Sequence, residues 1–327
     1  MLKMMRRLLA AAMCLGAVGW GAAGSDAVAA PYPTRPVTIV VGFSAGGNAD
    51  LVARLVAQRL SETLGQPFIV ENKGGAGGLL ASEAVAKSAP DGYRLLLVTG
   101  AFPAQAAALS RLPFDPVRDF TPISVVVSYP VVIVVPATSP FTSLKDLIAY
   151  AKAHPGQLNY PSPGTGSLFH LAVELFADKT GIALTHIPFK GGGQQVTELI
   201  AGRLDVMFDT LSVVQSQIKS GKLRALAVTS PQRLPQLPEV PTVDEVVGDY
   251  EVSSFVGLAG PANLPADIVA RLNTAIDEAV NSPDIKARFI ELGGTPLGGT
   301  PQQAAETMNQ ALETWQKIAR SKNIKAD

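Results

Sequence analysis

The chain has 327 residues, of which 47% are hydrophobic and 17% charged, and its 27 basic and 27 acidic side chains give a formal net charge of zero. A chain this apolar and weakly charged can bury a core, which excludes an intrinsically disordered protein. The absence of a Lys/Arg stripe from the body of the sequence excludes a nucleic-acid binder. The length suits two domains of about 150 residues each.

Residues 1–29 read as a secretory signal peptide. Lys3, Arg6 and Arg7 form a positive start, Leu8 to Gly19 is a short apolar run, and Ala27-Val28-Ala29 is a small-residue cleavage signal followed by Pro31. A retained membrane anchor is the alternative, but the apolar run falls short of the roughly 20 residues of a span. Cleavage after Ala29 removes three basic residues and Asp26, for a net charge of −2. It also removes Cys14, the only cysteine. Met13 precedes Cys14 where a lipoprotein signal has a small residue. The mature chain, which is expected in the periplasm, thus has neither thiol chemistry nor disulfides.

The mature region alternates β-branched runs with helical patterns. Residues 37–41 predict a buried strand. A helix over 50–64 follows, with Leu51, Leu55, Val56, Leu60 and Leu64 on its apolar face and Gly65 as its stop. Strands at 68–70 and 95–98 flank a helix at 79–88, a βαβ pattern that implies parallel pairing. After a strand-rich stretch at 123–135, Ser143 and Asp146 look like a capping box for a helix over 144–153. A helix at 167–179 ends at Gly181. Next come a strand near 184–187, a helix near 193–201, a strand at 204–208, a helix near 211–219 and a strand at 224–228. The remainder is helical: 266–281, a short helix after Pro283, and 301–319 with Thr300 as N-cap, Pro301 at its first position and a core stripe of Ala304, Met308, Leu312 and Trp315. Two extended stretches, near 128–133 and 249–255, could cross between lobes.

Four Gly-rich segments each follow a strand and precede a helix. They are Phe43-Ser44-Ala45-Gly46-Gly47-Asn48, Lys73 to Gly78, Ser162-Pro163-Gly164-Thr165-Gly166-Ser167, and Lys190-Gly191-Gly192-Gly193-Gln194. The first N–H groups of a helix lack intrahelical partners and carry partial positive charge. Glycine lets a ligand approach them closely, and ligands of open α/β sheets collect beyond the carboxyl ends of the strands. Several such loops could form an anion cleft without any arginine. They could equally be plain turns and caps. None matches a nucleotide-binding template.

Catalytic constellations are sparse. His154, His170 and His186 have no metal-ligand spacing, so neither a metal nor a cofactor is expected. His154 sits at a helix end, where a cation suits the dipole. His170 reads as a packing or loop-bracing residue. Ser167, His170 and Asp209 could be imagined as a hydrolase triad, but no G-x-S-x-G elbow is present. Asp50 and Arg54, four apart on a helix, form an expected ion pair. Asp209, after a strand, could meet a ligand ammonium or hydroxyl group, or cap a helix.

At these loops the sequence resembles the substrate-binding proteins of tripartite tricarboxylate transporters, the Bug or TctC family. The resemblance rests on Tyr32-Pro33, Gly42 to Gly47 through Asp50 and Arg54, Leu64-Gly65-Gln66-Pro67, Val70-Glu71-Asn72, Gly75 to Gly78, Pro90-Asp91-Gly92-Tyr93, Asp115-Pro116, Pro163-Gly164 with Gly166-Ser167 and His170-Leu171, Phe189-Lys190-Gly191, Gly221 to Thr229, and Val240-Pro241-Thr242. These segments span nearly the whole mature chain. The resemblance implies an α/β periplasmic-binding-protein fold of type II. Two α/β lobes, residues 30–131 plus 251–327 and residues 132–250, would be joined by two crossover segments around a ligand cleft. It implies a binding protein and not an enzyme. This protein would deliver a small carboxylate to membrane permease subunits, or signal to a sensor kinase, as a monomer.

The resemblance also implies the ligand-contacting positions. These are Phe43 to Asn48, Thr99, Gly100, Ser162, Gly164, Thr165, Gly166, Ser167, His170, Lys190, Gly191, Gly192 and Asp209. Four features depart from the family pattern. Phe189 stands where tyrosine is usual, Thr210 where asparagine is common and Phe255 where tryptophan is frequent, and the Phe102-Pro103-Ala104-Gln105-Ala106 stretch lacks the polar residues expected beside a ligand. Together they imply a less polar cleft and an aromatic or short apolar monocarboxylate rather than citrate.

Overall fold

The computed structural model describes residues 32–189 and 193–326. The expected signal peptide and Cys14 lie outside the described residues.

Strands β1 (Val37–Val41), β2 (Phe68–Asn72) and β3 (Arg94–Thr99) are parallel with β1 in the middle, so that Ile39 pairs with both Val70 and Leu95. Their runs of valine and leucine suit strands covered by helices on both faces. The covering helices are α1 (Asn48–Leu64), ended by Gly65 in the left-handed conformation, and α2 (Leu79–Ala86). A further helix, α3 (Ala101–Ala108), was not anticipated. Its proline, Pro103, lies in the first turn, where no intrahelical N–H bond is lost. The buried face of α1 is also broader than expected. Val52, Ala53 and Ala57 are buried with Val56 and Leu60, whereas Leu51, Leu55 and Leu64 are half-exposed at its edges.

The 17-residue strand β4 (Phe120–Pro136) organises the rest. Up to Pro130 it pairs antiparallel with β9 (Ser253–Pro261), which also borders β3, and on its other side with β10 (Thr295–Gly298). From Val131 onward it exchanges these partners for β7 (Met207–Thr210) and β8 (Leu223–Val228), again antiparallel. β5 (Asn159–Ser162) and β6 (Thr185–Pro188) form a separate parallel pair. The sheet is therefore mixed. The expected parallel pairing holds for β1–β3 and β5–β6 and fails around β4, whose neighbours arrive from distant parts of the chain. The strand expected at 204–208 begins only at Met207.

Thr229 ties the changeover together. Its buried hydroxyl accepts from the Val131 N–H and donates to the Val252 carbonyl, and its own N–H bonds the Val131 carbonyl. Segments 131 and 252, far apart in sequence, are thereby fixed side by side.

The later helices are α4 (Leu144–Ala153), α5 (Leu168–Thr180), α6 (Gly193–Ile200), α7 (Leu211–Lys219), α8 (Val243–Val247), α9 (Ala266–Asn281), α10 (Pro283–Glu291) and α11 (Pro301–Ser321). Ser143 and Asp146 form the full capping box, and Thr300 forms another with Gln303 ahead of Pro301. The short helix α8 went unrecognised although Thr242 and Glu245 cap it in the same way. The stripe on α11 is buried as expected, but in two different cores. Ala304 and Met308 pack with Phe102 and Phe255, whereas Trp315, Ile318 and Ala319 pack with Leu171 and Phe176.

Candidate functional site

The parallel strands end in loops whose backbone is held from behind. After β1, Ser44, Ala45, Gly46 and Gly47 are exposed and lead into α1, whose N-cap Gly47 is extended and provides no side-chain cap. The first N–H groups of α1 thus lack a side-chain acceptor. Asp50, 4% exposed, holds this loop. Its Oδ2 accepts the Gly46 N–H at 2.9 Å and Arg54 Nε at 2.9 Å, and its Oδ1 accepts Arg54 and Asn72 Nδ2, each at 2.9 Å. Asn72 Nδ2 also donates to the Phe43 carbonyl at 3.1 Å. The expected ion pair is therefore one part of a loop brace. The Arg54 guanidinium, with the Gly46 and Asn72 donors, holds the Asp50 carboxyl down at about 2.

The loop after β2 lies against the first one. A Cβ on Gly42 would sit 2.6 Å from Gly78 Cα, so the two backbones touch where only glycine fits. Asn48, the first residue of α1, brings its side-chain amide near the Tyr129 phenol, and two atoms there stand out, Asn48 Oδ1 and Tyr129 Oη. Both atoms are buried without a well-formed hydrogen bond. Burial pushes the Tyr129 phenol up to about 12, partly offset by the Asn48 amide. After β3, Thr99 and Gly100 are buried. The Gly100 N–H bonds the Phe255 carbonyl, and a Cβ on Gly100 would meet Ser254 and, at 3.3 Å, Leu168, the first residue of α5.

The β5–α5 loop has its own brace. Ser162 Oγ bonds both the N–H and the carbonyl of Gly164, and the Gly166 N–H donates to His170 Nδ1 at 3.0 Å. Ser167 is the N-cap of α5, accepting from the His170 N–H. Thr165 is exposed at the tip. Gly166, with φ of 75°, is packed so tightly that a Cβ would lie 2.5 Å from Ala108 and 2.9 Å from Ala326. Lys190, Gly191 and Gly192 lie outside the described residues. Asp209 is 5% exposed at the end of β7, its Oδ1 accepting the Thr210 N–H at 2.7 Å. Thr210, not Asp209, is the N-cap of α7. Burial pushes the Asp209 carboxyl up to about 7.

The loops after β1 and β2 are thus joined, and Gly100 is brought to the start of α5. The imagined triad is not assembled. His170 Nδ1 is occupied by Gly166, Ser167 Oγ caps the helix through the backbone N–H of residue 170, and the Asp209 carboxyl engages its neighbour Thr210. No cluster of three or more metal-ligating side chains occurs among the described residues, and no described helix is long and apolar enough to cross a membrane.

Sequence reasoning missed His186, Asn72 and Tyr129, whose roles appear only once distant strands are paired. The case for a less polar cleft also weakens. Phe102, Ala104, Ala106 and Phe255 are core residues, and Phe189 packs against the apolar core beneath α6 and α7. Phe102 also lines a small void with Gly42, Phe43, Gly78 and Thr99, so it touches the loops as well as the core.

Residues 52–324 match the model of the tripartite tricarboxylate transporter family receptor. BugT of Bordetella pertussis is 37% identical over 298 residues, 90% of this chain and 91% of that protein. Among solved structures, Rhodopseudomonas palustris Rpa4515 with adipate aligns with a TM-score of 0.80 at 36% identity, covering 90% of this chain and 99% of its own. The periplasmic binding protein BugD aligns at 0.77 and 33%, covering 90% and 99%, and R. palustris MatC with bound malate at 0.77 and 32%, covering 88% and 99%. The matched family is a receptor family and BugD is a periplasmic binding protein, and this chain is likewise a binding protein, not an enzyme. It belongs to the tripartite tricarboxylate transporter receptor family, the TctC or Bug solute-binding proteins.

Proposed function

We propose that the mature protein, exported and cleaved near Ala29, captures a small carboxylate-bearing solute in the periplasm and hands it to the permease subunits of a tripartite tricarboxylate-type transporter. The carrying observation is the loop from Phe43 to Asn48. It is exposed at its tip, uncapped at the start of α1 and held rigid from behind by Asp50. Backbone N–H groups prepared in this way suit an anion, because hydrogen bonds to a charged oxygen are stronger than neutral ones. The β5–α5 loop, with Ser162, Gly164, Thr165, Gly166 and Ser167, takes the other end of the solute. Asp209, whose burial favours the neutral carboxyl, offers an O–H to a ligand oxygen in its protonated form.

The lobes are residues 30–131 plus 251–327 and residues 132–250. The change of partners along β4 between Pro130 and Val131 supports this division, as does the Thr229 tie to Val252. Closure follows because a solute touching both lobes binds the closed form more tightly. With Phe189 and Phe255 packed into cores, linear dicarboxylates like those held by Rpa4515 and MatC rank beside aliphatic and aromatic monocarboxylates.

A thermal-shift panel tests this reading. The chain from residue 30, unfolded and refolded to remove carried-over solute, is scanned against mono-, di- and tricarboxylates, acidic amino acids and aromatic acids. An acid at 100 times its Kd adds roughly 2.7 kcal/mol, a rise of several degrees. Such a shift with one class of acid is expected. A flat response across the panel would remove the carboxylate reading and leave the fold.

A further inference from the structure

His170 on α5 and His186 on β6 stack face to face, with ring centroids 3.9 Å apart and planes within 9°. His186 Nε2 lies 2.6 Å from Ser162 Oγ. The same hydroxyl lies 2.9 Å from the Gly164 carbonyl, and the His186 tautomer sets which of the two contacts takes its single proton. His170 Nδ1 accepts the Gly166 N–H, so His170 is neutral with its proton on Nε2. The two rings therefore grip the loop at three places: Ser162 and, through its hydroxyl, Gly164, and Gly166 directly.

We propose that the stacked His170–His186 pair is the positioning element of the β5–α5 loop, and that it holds the loop in its binding geometry only while both imidazoles are neutral. The proposal rests on the function inferred above, since it assigns the solute's second contact to this loop. Its physical basis is donor matching. A proton on His170 Nδ1 would face the Gly166 N–H, donor against donor, and a charge on either ring would oppose one on the other at 3.9 Å.

Among the described residues, Glu174 is the carboxylate that acts on the pair. It takes the Tyr160 hydroxyl hydrogen bond at 2.8 Å from the same helix as His170. Tyr160 on β5 flanks His186 with centroids 5.1 Å apart, and Ala108 of α3 and Ala326 of the C-terminal segment, next to Lys325, close the loop's other side. Burial lowers His170 to about 4. Burial first, then the His170 charge, lowers His186 to about 4, with Glu174 opposing. Both folded-state values lie below the unfolded value of about 6.5. The stabilising contribution is therefore complete above that value and is lost as pH falls toward 4.

The test reads the ring nitrogens and the Gly166 amide by NMR in the solute-free mature protein at pH 5.5, where an ordinary histidine is mostly charged. Both imidazoles are expected to be neutral, with His170 protonated on Nε2 and the Gly166 amide protected from exchange. His170→Asn, which keeps an acceptor near the Nδ1 position and cannot titrate, is expected to retain that protection. His170→Leu is expected to lose it at least tenfold. With adipate as probe at pH 7.5, His170→Leu binds at least tenfold more weakly than His170→Asn. Charged rings at pH 5.5, or equal Gly166 protection in the two variants, would overturn the proposal. If the parent chain binds no adipate, the ring and amide signals alone decide, so that failure of the brace and failure of the carboxylate reading stay distinguishable.

Discussion

An Asp50→Ala variant is expected to bind its carboxylate at least tenfold more weakly than the parent chain and to be less stable by about 3 kcal/mol, the scale of losing several charge-assisted hydrogen bonds that share one acceptor. The carboxylate accepts from Gly46, Arg54 and Asn72 at once. Without it the Gly46 N–H loses its partner inside the loop proposed to face the solute. Arg54 is about half exposed and recovers part of its solvation, which keeps the stability loss moderate. The affinity loss is larger in proportion because the loop is no longer held in one conformation. Isothermal titration and chemical denaturation of the same sample separate the two effects. Asp50→Asn retains one acceptor and should fall between. The carboxyl is held at about 2, below its unfolded value of about 3.8. Its contribution is therefore present above pH 4 and lost as pH falls through the interval between 3.8 and 2. An alanine variant that binds as the parent does would show that the loop needs no brace.

Trp315→Ala is expected to cost about 3–5 kcal/mol, the range for emptying a large aromatic from a packed core. Trp315 is 4% exposed and packs with Leu171 and Phe176, seven residues beyond Met308, which belongs to the core beneath β3 and β9. Helix α11 therefore joins the two groups of core residues, and a cavity at residue 315 weakens one of them while leaving the other covered. A fall in Tm of about 10 °C by calorimetry is expected. A second, separate transition is expected as well, because the core around Phe102 and Met308 keeps its share of the helix. A single transition at the parent temperature would contradict the role given to α11.

Much of the fold could be read from local patterns. The capping boxes at Ser143 and Thr300, the left-handed glycines at 65 and 181 and the valine runs of β1 and β4 are chemistry within a few residues, and the helices and strands they mark stand where expected. What escaped was non-local. The pairing of β4 with β9 and β10 joins segments more than 100 residues apart, and no periodicity records it. Helix α3 was hidden because an Ala- and Pro-containing run with Phe102 has almost no amphipathic contrast. The same holds for the site. Asp50 and Arg54 were legible as neighbours four apart, but Asn72 joins them only because β1 and β2 are adjacent. His170 was legible as a loop brace, but His186 had no signal of its own. It meets His170 and Ser162 only because β6 lies parallel to β5. For the apolar departures, residue type alone does not say whether a phenylalanine faces a cleft or a core.

The central claim is that one solute is held by loops from both sides of the β4 changeover. Hydrogen exchange of the mature chain, with and without a saturating concentration of the acid that gives the largest thermal shift, tests it most directly. Simultaneous protection of peptides covering residues 43–50 and 163–170 is the expected result, with segments such as 266–281 unchanged. Protection confined to one of the two loops, or binding with neither loop protected, would contradict the account.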